Sequence, residues 1–251
     1  MRTHNGMYYS HICDEAHKID LYAPNGECKA LVLYLHGGGL VEGSRDLAPM
    51  THFAEDMTEA GVAVASAEYR MYPEAKYPDF VEDAAEAIAY AKRELLPSLS
   101  CEKLFVCGTS AGAYLSMLLC FDEGWLGKHG ICPSDIDGFI HDAGQPTAHF
   151  SVLKERGIDP RRVIIDEAAP LYHVKSADYP PMELIVSDND MPSRLEQTDL
   201  LASTLRHFGY PAERLTYVKT HGTHVWYVNK ADSEGKNELA KLILPFIEKY
   251  I

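Results

Sequence analysis

The sequence has no apolar run near the roughly 18 residues that a membrane-spanning helix needs. Its N-terminus leads into no apolar segment of the kind found in signal peptides. The six cysteines are scattered without a C-x-x-C pair, so neither a disulfide framework nor a zinc site is indicated. Basic residues are few, and the net charge of −14 disfavours nucleic acid and anionic membranes as partners. These absences together predict a cytoplasmic protein.

What is present is enough for one sizeable domain, because 251 residues with 46% hydrophobic content can bury a substantial core. Apolar runs alternate with segments of helical periodicity, without internal repeats. The alternation predicts one α/β domain over residues 1–251, a doubly wound and mostly parallel sheet flanked by helices. Strands are predicted at 7–12, 16–23, 30–35, 62–67, 104–107, 136–141, 182–186 and 214–218, and helices at 46–60, 79–96, 110–120, 194–208 and 234–250. Residues 142–179 could form a small lid segment.

The chain is organised around the sequence G-T-S-A-G at residues 108–112, which lies between a predicted strand and a predicted helix. This matches the G-x-S-x-G nucleophile elbow in the strand–turn–helix context that the motif requires. A sharp turn there would project the hydroxyl of Ser110 outward, and Gly108 and Gly112 would have no Cβ to collide where strand and helix meet. Ser110 is therefore the candidate nucleophile.

Residues 36–39, His-Gly-Gly-Gly, follow the predicted strand 30–35. Acyl transfer at a serine passes through an oxyanion, and consecutive glycines allow backbone N–H groups to face it. The residue after the nucleophile, Ala111, supplies a further N–H. An alternative is a dinucleotide-binding fingerprint, since Gly37, Gly39 and Gly43 follow a strand and Glu68 ends the next one. That interpretation is weakened because the helix signal begins only near residues 44–46.

A serine nucleophile needs a general base, and the base needs an orienting carboxylate. In this type of fold the chain order is serine, acid, histidine. Asp188 and Asp190 follow one predicted strand, and His221 and His224 follow the next, so both loops should lie on the same edge as Ser110. The histidine pair could alternatively bind a metal ion, although no acidic or cysteine partner has ligand spacing.

These motifs resemble the α/β-hydrolase superfamily, specifically the esterases with HGGG and G-x-S-A-G motifs (the hormone-sensitive-lipase-like group and the related carbohydrate acyl esterases). The resemblance covers essentially the whole chain. Residues 68–74 look like the Y-R-x-x-P-E segment of that group, which seats the HGGG loop. Two departures are a threonine at position 109, where aspartate is commoner, and the start of HGGG at residue 36, which leaves no room for an N-terminal cap.

The resemblance implies a serine carboxylesterase without a cofactor. Ser110, Asp190 and His224 would form the catalytic triad, and Gly38, Gly39 and Ala111 the oxyanion hole. The compact form implies short acyl groups, acetyl to butyryl, on small molecules or on acylated carbohydrates and other bulky alcohols. Trp125, His141 and Trp226, with Tyr227, are near enough to strand ends to line the alcohol side.

Two other functions remain open from the sequence. An aryl formamidase or small-substrate serine peptidase would use the same triad, because the sequence does not reveal the acyl acceptor. A non-catalytic binding protein on the same fold would be expected to have lost part of the triad, whereas here every element is present. Hydrolysis of a simple aryl ester would distinguish an enzyme from a non-catalytic binding protein.

Overall fold

A computed structural model describes residues 1–251, apart from the side chains at positions 48 and 49. Its centre is an eight-stranded sheet in the order β1-β2-β4-β3-β5-β6-β7-β8. The strands β3 to β8 pair in parallel, and β1 and β2 form an antiparallel edge. The strands are β1 Arg2–Tyr8, β2 Lys18–Ala23, β3 Ala30–Leu35, β4 Val62–Ala67, β5 Leu104–Thr109, β6 Gly138–Asp142, β7 Met182–Asn189 and β8 Leu215–Thr223. The predicted α/β fold class is confirmed.

Helices cover both faces of the sheet, because the interior strands are apolar on both sides. The helices α2, α4 and α7 pack on one face, and α1 and α8 pack on the other. The helices are α1 Ala48–Glu59, α2 Asp79–Tyr90, α3 Leu96–Ser98, α4 Ala111–Phe121, α5 Glu123–Gly127, α6 Phe150–Glu155, α7 Arg194–His207 and α8 Glu238–Tyr250. A single π-type turn joins α2 to α3. Within the described residues, no helix combines the length and apolar character needed to cross a bilayer.

Some boundaries differ from those predicted. The first strand is Arg2–Tyr8 rather than 7–12, because it is a mostly exposed edge strand whose pairing imposes no apolar alternation. The short helix α5 lies where the sequence pattern predicts no helix, and the Asp122 side chain caps its start by accepting a hydrogen bond from the N–H of Gly124. The last helix begins four residues later than predicted, at Glu238, where the Asn237 side chain caps it.

One core position carries an acid. Glu183 on β7 is buried, and its Oε2 has no hydrogen-bond partner among the described residues. Burial, aided by the nearby charge of Asp142, raises the pKa of Glu183 to about 8. The ordinary glutamate pKa, which applies to the unfolded chain, is near 4.3. Between those values the folded chain keeps a proton that the unfolded chain has lost, so stability falls as the pH rises from about 4 to about 8.

The Glu183→Gln variant removes this titration while keeping the shape of the side chain. The free energy of unfolding of the variant minus that of the wild type is the quantity of interest. We expect this difference to rise by about 2–4 kcal/mol, in favour of the variant, when the pH is raised from about 5 to about 8.5. Denaturant unfolding at both pH values measures the difference, and Glu248→Gln, at an exposed position on α8, is the matched control. If this difference changed with pH equally in Glu183→Gln and Glu248→Gln, the expected titration of Glu183 would be contradicted.

Candidate active site

The turn at Ser110 has an unusual backbone. Ser110 adopts φ +54° and ψ −108° between β5 and α4, a sparsely populated conformation for a residue with a side chain. Its N–H donates to the carbonyl oxygen of Asp142 at 2.7 Å. A Cβ added at Gly112 would lie 2.0 Å from the carbonyl oxygen of Leu35, so the first turn of α4 touches the end of β3. The close approach forces the chain into the strained turn that presents the hydroxyl of Ser110.

A chain of hydrogen bonds runs from this hydroxyl to a buried carboxylate. The Oγ of Ser110 lies 2.8 Å from Nε2 of His224, and Nδ1 of His224 lies 2.6 Å from Oδ1 of Asp190. The His224 ring is partly exposed, while the Asp190 side chain is fully buried. Burial works to raise the pKa of Asp190, but the hydrogen bond and charge of His224 lower it overall. The carboxylate therefore stays ionised beside the imidazole at neutral pH.

The alternative pair makes a separate contact. Nδ1 of His221 lies 2.6 Å from Oδ2 of Asp188, and Oδ1 of the same carboxylate accepts the N–H of Gly222 at 3.0 Å. The side chain of His221 is 98% exposed, so its ring points into solvent. The strands β7 and β8 extend three and five residues further than predicted, which makes Asp188 and His221 part of the sheet. Asp190 and His224 lie immediately beyond the strand ends, where their side chains can turn toward Ser110.

The oxyanion loop (residues 36–43) follows β3. Gly38 has φ +117°, and a Cβ there would lie 1.7 Å from the carbonyl oxygen of Glu42, so only glycine fits. Within the described part of the chain, the N–H groups of Gly38, Gly39 and Ala111 have no acceptor. These donors are left available to a ligand, as an oxyanion hole requires.

Side chains beneath the oxyanion loop hold it in place. Nε2 of His36 lies 2.8 Å from Oε1 of Glu68, and Tyr69 stacks on the His36 ring and donates its hydroxyl to the His36 carbonyl. Burial opposes ionisation of Glu68, but its contact with His36 lowers its pKa overall. On the other side of the loop, the hydroxyl of Ser151 donates to the Gly39 carbonyl at 2.6 Å. The loop is thus anchored from two directions.

A buried polar cluster connects the elbow with the loop that carries His224. The carboxyl group of Asp142, at the end of β6, accepts hydrogen bonds from Thr109 at 2.8 Å and from the hydroxyl of Tyr227. The hydroxyl of Tyr34 in turn donates to Thr109 at 3.0 Å. Burial raises the pKa of Asp142 to about 6, although both hydrogen bonds oppose the rise. Position 109, where the sequence departs from the common motif, is thus used to bind Asp142.

An apolar pocket of about 400 Å³ opens between the oxyanion loop, α1 and the residues that follow His224. Gly37, Gly38 and Thr109 form the wall nearest Ser110. The apolar side chains that line the rest are Leu47, Met50, Phe53, Val225, Val228 and Leu239. These residues come from distant parts of the sequence, and periodicity predicted them only as core or loop positions.

The structure places two of the predicted alcohol-side residues, Trp125 and His141, away from the Ser110 hydroxyl. Trp125 lies on α5, beyond the far end of α4, which spans about 16 Å. His141 is buried beneath α4, where its Nδ1 is hydrogen-bonded to Oγ of Ser116 at 2.8 Å. Burial lowers the pKa of His141 to about 3. Trp226 follows His224 in the chain, but its ring packs against Gly222 and Tyr227. The prediction that Trp125 and His141 line the site is therefore wrong, because nearness to a strand in sequence did not fix the direction of the side chain.

Sequence reasoning missed Asp142 and Ser151. The signal that identified Asp190, a polar residue at the carboxyl end of a parallel strand, applies equally to Asp142. No local signal identifies Ser151, whose partner Gly39 is 112 residues away. Among the described residues, no group of three or more His, Cys, Asp or Glu side chains is arranged to hold a metal ion.

Comparisons with known proteins agree with this architecture. The BD-FAE family model matches residues 19–129. Acetyl esterases of Salmonella schwarzengrund (strain CVM19633) and Salmonella paratyphi B (strain ATCC BAA-1250 / SPB7) are 34% identical over 101 residues. That match covers 39% of this chain and only 30% of the length of those relatives.

Solved structures extend the likeness to nearly the whole chain. The propionate-bound thermophilic esterase Est2 of Thermogutta terrifontis has a TM-score of 0.76 at 21% identity, covering 97% of this chain and 93% of that one. A truncated carbohydrate esterase from gut microbiota has a TM-score of 0.76 at 17% identity, covering 100% and 96%. Esterase B of Lactobacillus Rhamnosis (HN001) has a TM-score of 0.76 at 18% identity, covering 99% of this chain and 84% of that one. The likeness to these structures confirms the predicted fold.

Proposed function

We propose that this chain, which has the α/β-hydrolase fold, is a serine carboxylesterase that cleaves short-chain acyl esters through an acyl-enzyme. The observation that carries the proposal is the hydrogen-bonded series of Ser110, His224 and Asp190 at the ends of three parallel strands. The unpaired N–H groups of the oxyanion loop support it. The relatives named acetyl esterase and the solved esterases favour ester bonds over other acyl bonds.

In the first half of the reaction, Ser110 Oγ attacks the ester carbonyl and its proton passes to Nε2 of His224. The carbonyl oxygen becomes an oxyanion that accepts hydrogen bonds from Gly38, Gly39 and Ala111. Asp190 holds the imidazole by Nδ1 and stabilises its positive charge. Collapse of the intermediate releases the alcohol, which takes the proton from His224, and leaves the acyl group on Ser110.

In the second half, His224 removes a proton from water as the water attacks the acyl carbonyl. The second tetrahedral intermediate uses the same three N–H groups, and its collapse returns the proton from His224 to Ser110. The carboxylic acid then leaves. Every proton is carried by a residue of this chain, so the proposed cycle uses no cofactor.

We assign the acyl group to the apolar pocket beside Gly37 and Gly38, and the alcohol to the opposite side of the oxyanion loop, near Phe150. A pocket of about 400 Å³ holds a short chain. Methylenes beyond it stay in water and gain none of the roughly 0.8 kcal/mol that burial of each would contribute. Sugars and other bulky alcohols fit the proposal because the alcohol side is assigned to the surface.

A chain-length series of 4-nitrophenyl esters tests this assignment. We expect kcat/KM to be highest for acetyl to butyryl and to fall for acyl chains beyond about eight carbons. A maximum at decanoyl or longer would contradict it. Absence of hydrolysis of every ester, with hydrolysis of an N-formyl aryl amine or a dipeptide amide, would favour the formamidase or peptidase alternative. Inactivity on all of these compounds would favour a binding protein.

A further inference from the structure

A second cavity, of about 270 Å³, has Phe150 in its lining and so lies on the side to which we assign the alcohol. Here it is called the arginine pocket, after the three arginines among its lining residues. The lining residues that matter here are Phe150, Arg161, Arg162, Met191, Ser193 and Arg194. No aspartate or glutamate lines this pocket, although acids outnumber bases by 37 to 23 in the whole chain.

The arginine pocket adjoins the proposed reaction centre. Phe150 lies against the oxyanion loop, since a Cβ added at Gly39 would be 3.1 Å from its ring. Arg194 donates to the carbonyl of Ala143, the residue after Asp142, whose own carbonyl accepts from Ser110. Met191 follows Asp190 directly. The arginine pocket therefore adjoins three segments that meet at Ser110: the oxyanion loop, the segment after β6 and the segment after β7.

Arg194 brings a buried positive charge to this pocket. It is 4% exposed, and the groups to which its guanidinium donates hydrogen bonds are all neutral: the Ala143 carbonyl, the amide oxygen of Gln145 and the sulfur of Met191. The negative charge that acts on Arg194 is that of Asp190, which is itself hydrogen-bonded to His224. Burial without an ion-pair partner lowers the pKa of Arg194 to about 10, so it remains charged at neutral pH. A buried cation of this kind is costly unless an anion compensates it.

Two further features add positive potential. Arg162 is exposed and has no ion-pair partner among the described residues, whereas Arg161 is paired with Asp159. The helix α7, of 14 residues, begins at the pocket, and its N-cap residue Ser193 makes no side-chain cap. The helix dipole favours a negative group there, although the N–H of Arg194 already donates to the Met191 carbonyl and Glu196 lies in the first turn.

We propose that the arginine pocket binds a carboxylate carried by the ester substrate, so that this chain prefers acidic esters over their neutral counterparts. This inference rests on the proposed function and adds the substrate class. The expected position of the carboxylate is on the alcohol part, because the pocket lies on the side of Gly39 and Phe150. Charge-assisted hydrogen bonds from arginine to carboxylate supply the discrimination. The net charge of −14 repels anions at long range, and the local arginines offset that repulsion.

The test compares matched ester pairs. On the alcohol side, 4-acetoxybenzoate is compared with its methyl ester; on the acyl side, 4-nitrophenyl hydrogen adipate is compared with 4-nitrophenyl methyl adipate. The measured quantity is the ratio of kcat/KM for the acidic ester to that for the neutral one. We expect Arg162→Gln to lower this ratio about tenfold for the alcohol-side pair. We expect Arg206→Gln, at the other end of α7, to leave it unchanged. The effect should weaken at high salt.

The outcomes separate the two proposals. A loss seen only with the adipate pair would also support carboxylate binding and would place the acyl group in the arginine pocket. Equal ratios in the wild type and Arg162→Gln for both pairs would overturn the inference while leaving the esterase proposal intact. If no ester is hydrolysed, calorimetric titration with monomethyl adipate decides: binding that Arg162→Gln weakens supports the pocket, and unchanged or undetectable binding overturns it.

Discussion

Ser110→Ala is expected to abolish ester hydrolysis, with a loss on the order of 10⁶ in kcat. The hydroxyl is the proposed nucleophile, and no acyl-enzyme can form without it. The variant should fold normally, because alanine retains the Cβ and the strained backbone at this turn is fixed by Gly112 against Leu35 and by the hydrogen bond to Asp142. The hydroxyl contributes only its contact with His224 to the folded state.

Kinetics with 4-nitrophenyl acetate and labelling with a fluorophosphonate measure this expectation. The wild type should be labelled at Ser110 alone, and Ser110→Ala should not be labelled. Ser134→Ala, at an exposed position, is the matched control and should keep both activity and labelling. Retention of more than a few per cent of activity in Ser110→Ala, with the thermal transition preserved, would exclude this serine as the nucleophile.

The sequence predicts most of the fold because the interior strands are apolar on both faces. Strands such as 30–35 and 62–67 coincide with β3 and β4 to the residue. Boundaries were wrong where the burial pattern is weak, as at the exposed β1, or where a side-chain cap fixes the helix start, as Asn237 does for α8. Those positions depend on contacts with other segments that a local pattern does not contain.

For the candidate site, sequence and structure agree on which residues follow the strand ends, because parallel strands place those residues on one edge. Ser110, Asp190 and His224 were singled out in this way, and the structure has them within hydrogen-bond distance of each other. Pocket walls follow no such rule. Phe53 and Leu239 line the same pocket although they are 186 residues apart in the sequence. Trp125 lies far from Ser110 because α4 separates them.

The two acid–histidine pairs offer a matched comparison, since both have a contact of 2.6 Å but only one reaches the nucleophile. We expect His224→Ala to lower kcat by about 10⁵–10⁶, because the serine loses its general base. We expect His221→Ala to change kcat less than about twofold, because its side chain is 98% exposed and pairs with Asp188. Both variants are measured with 4-nitrophenyl acetate, together with thermal unfolding.

The acids should differ in the same way. Asp190→Asn is expected to lower kcat by about 10⁴, less than loss of the histidine, because the carboxylate orients the imidazole and stabilises its charge without forming a bond to the substrate. Asp188→Asn should leave kcat almost unchanged and cost some stability, because Asp188 accepts the Gly222 N–H at the end of β8. A larger loss of kcat for Asp188→Asn than for Asp190→Asn would reverse the assignment of the acid. A larger loss for His221→Ala than for His224→Ala would reverse that of the base, and the contact between Ser110 and His224 would then have no catalytic role.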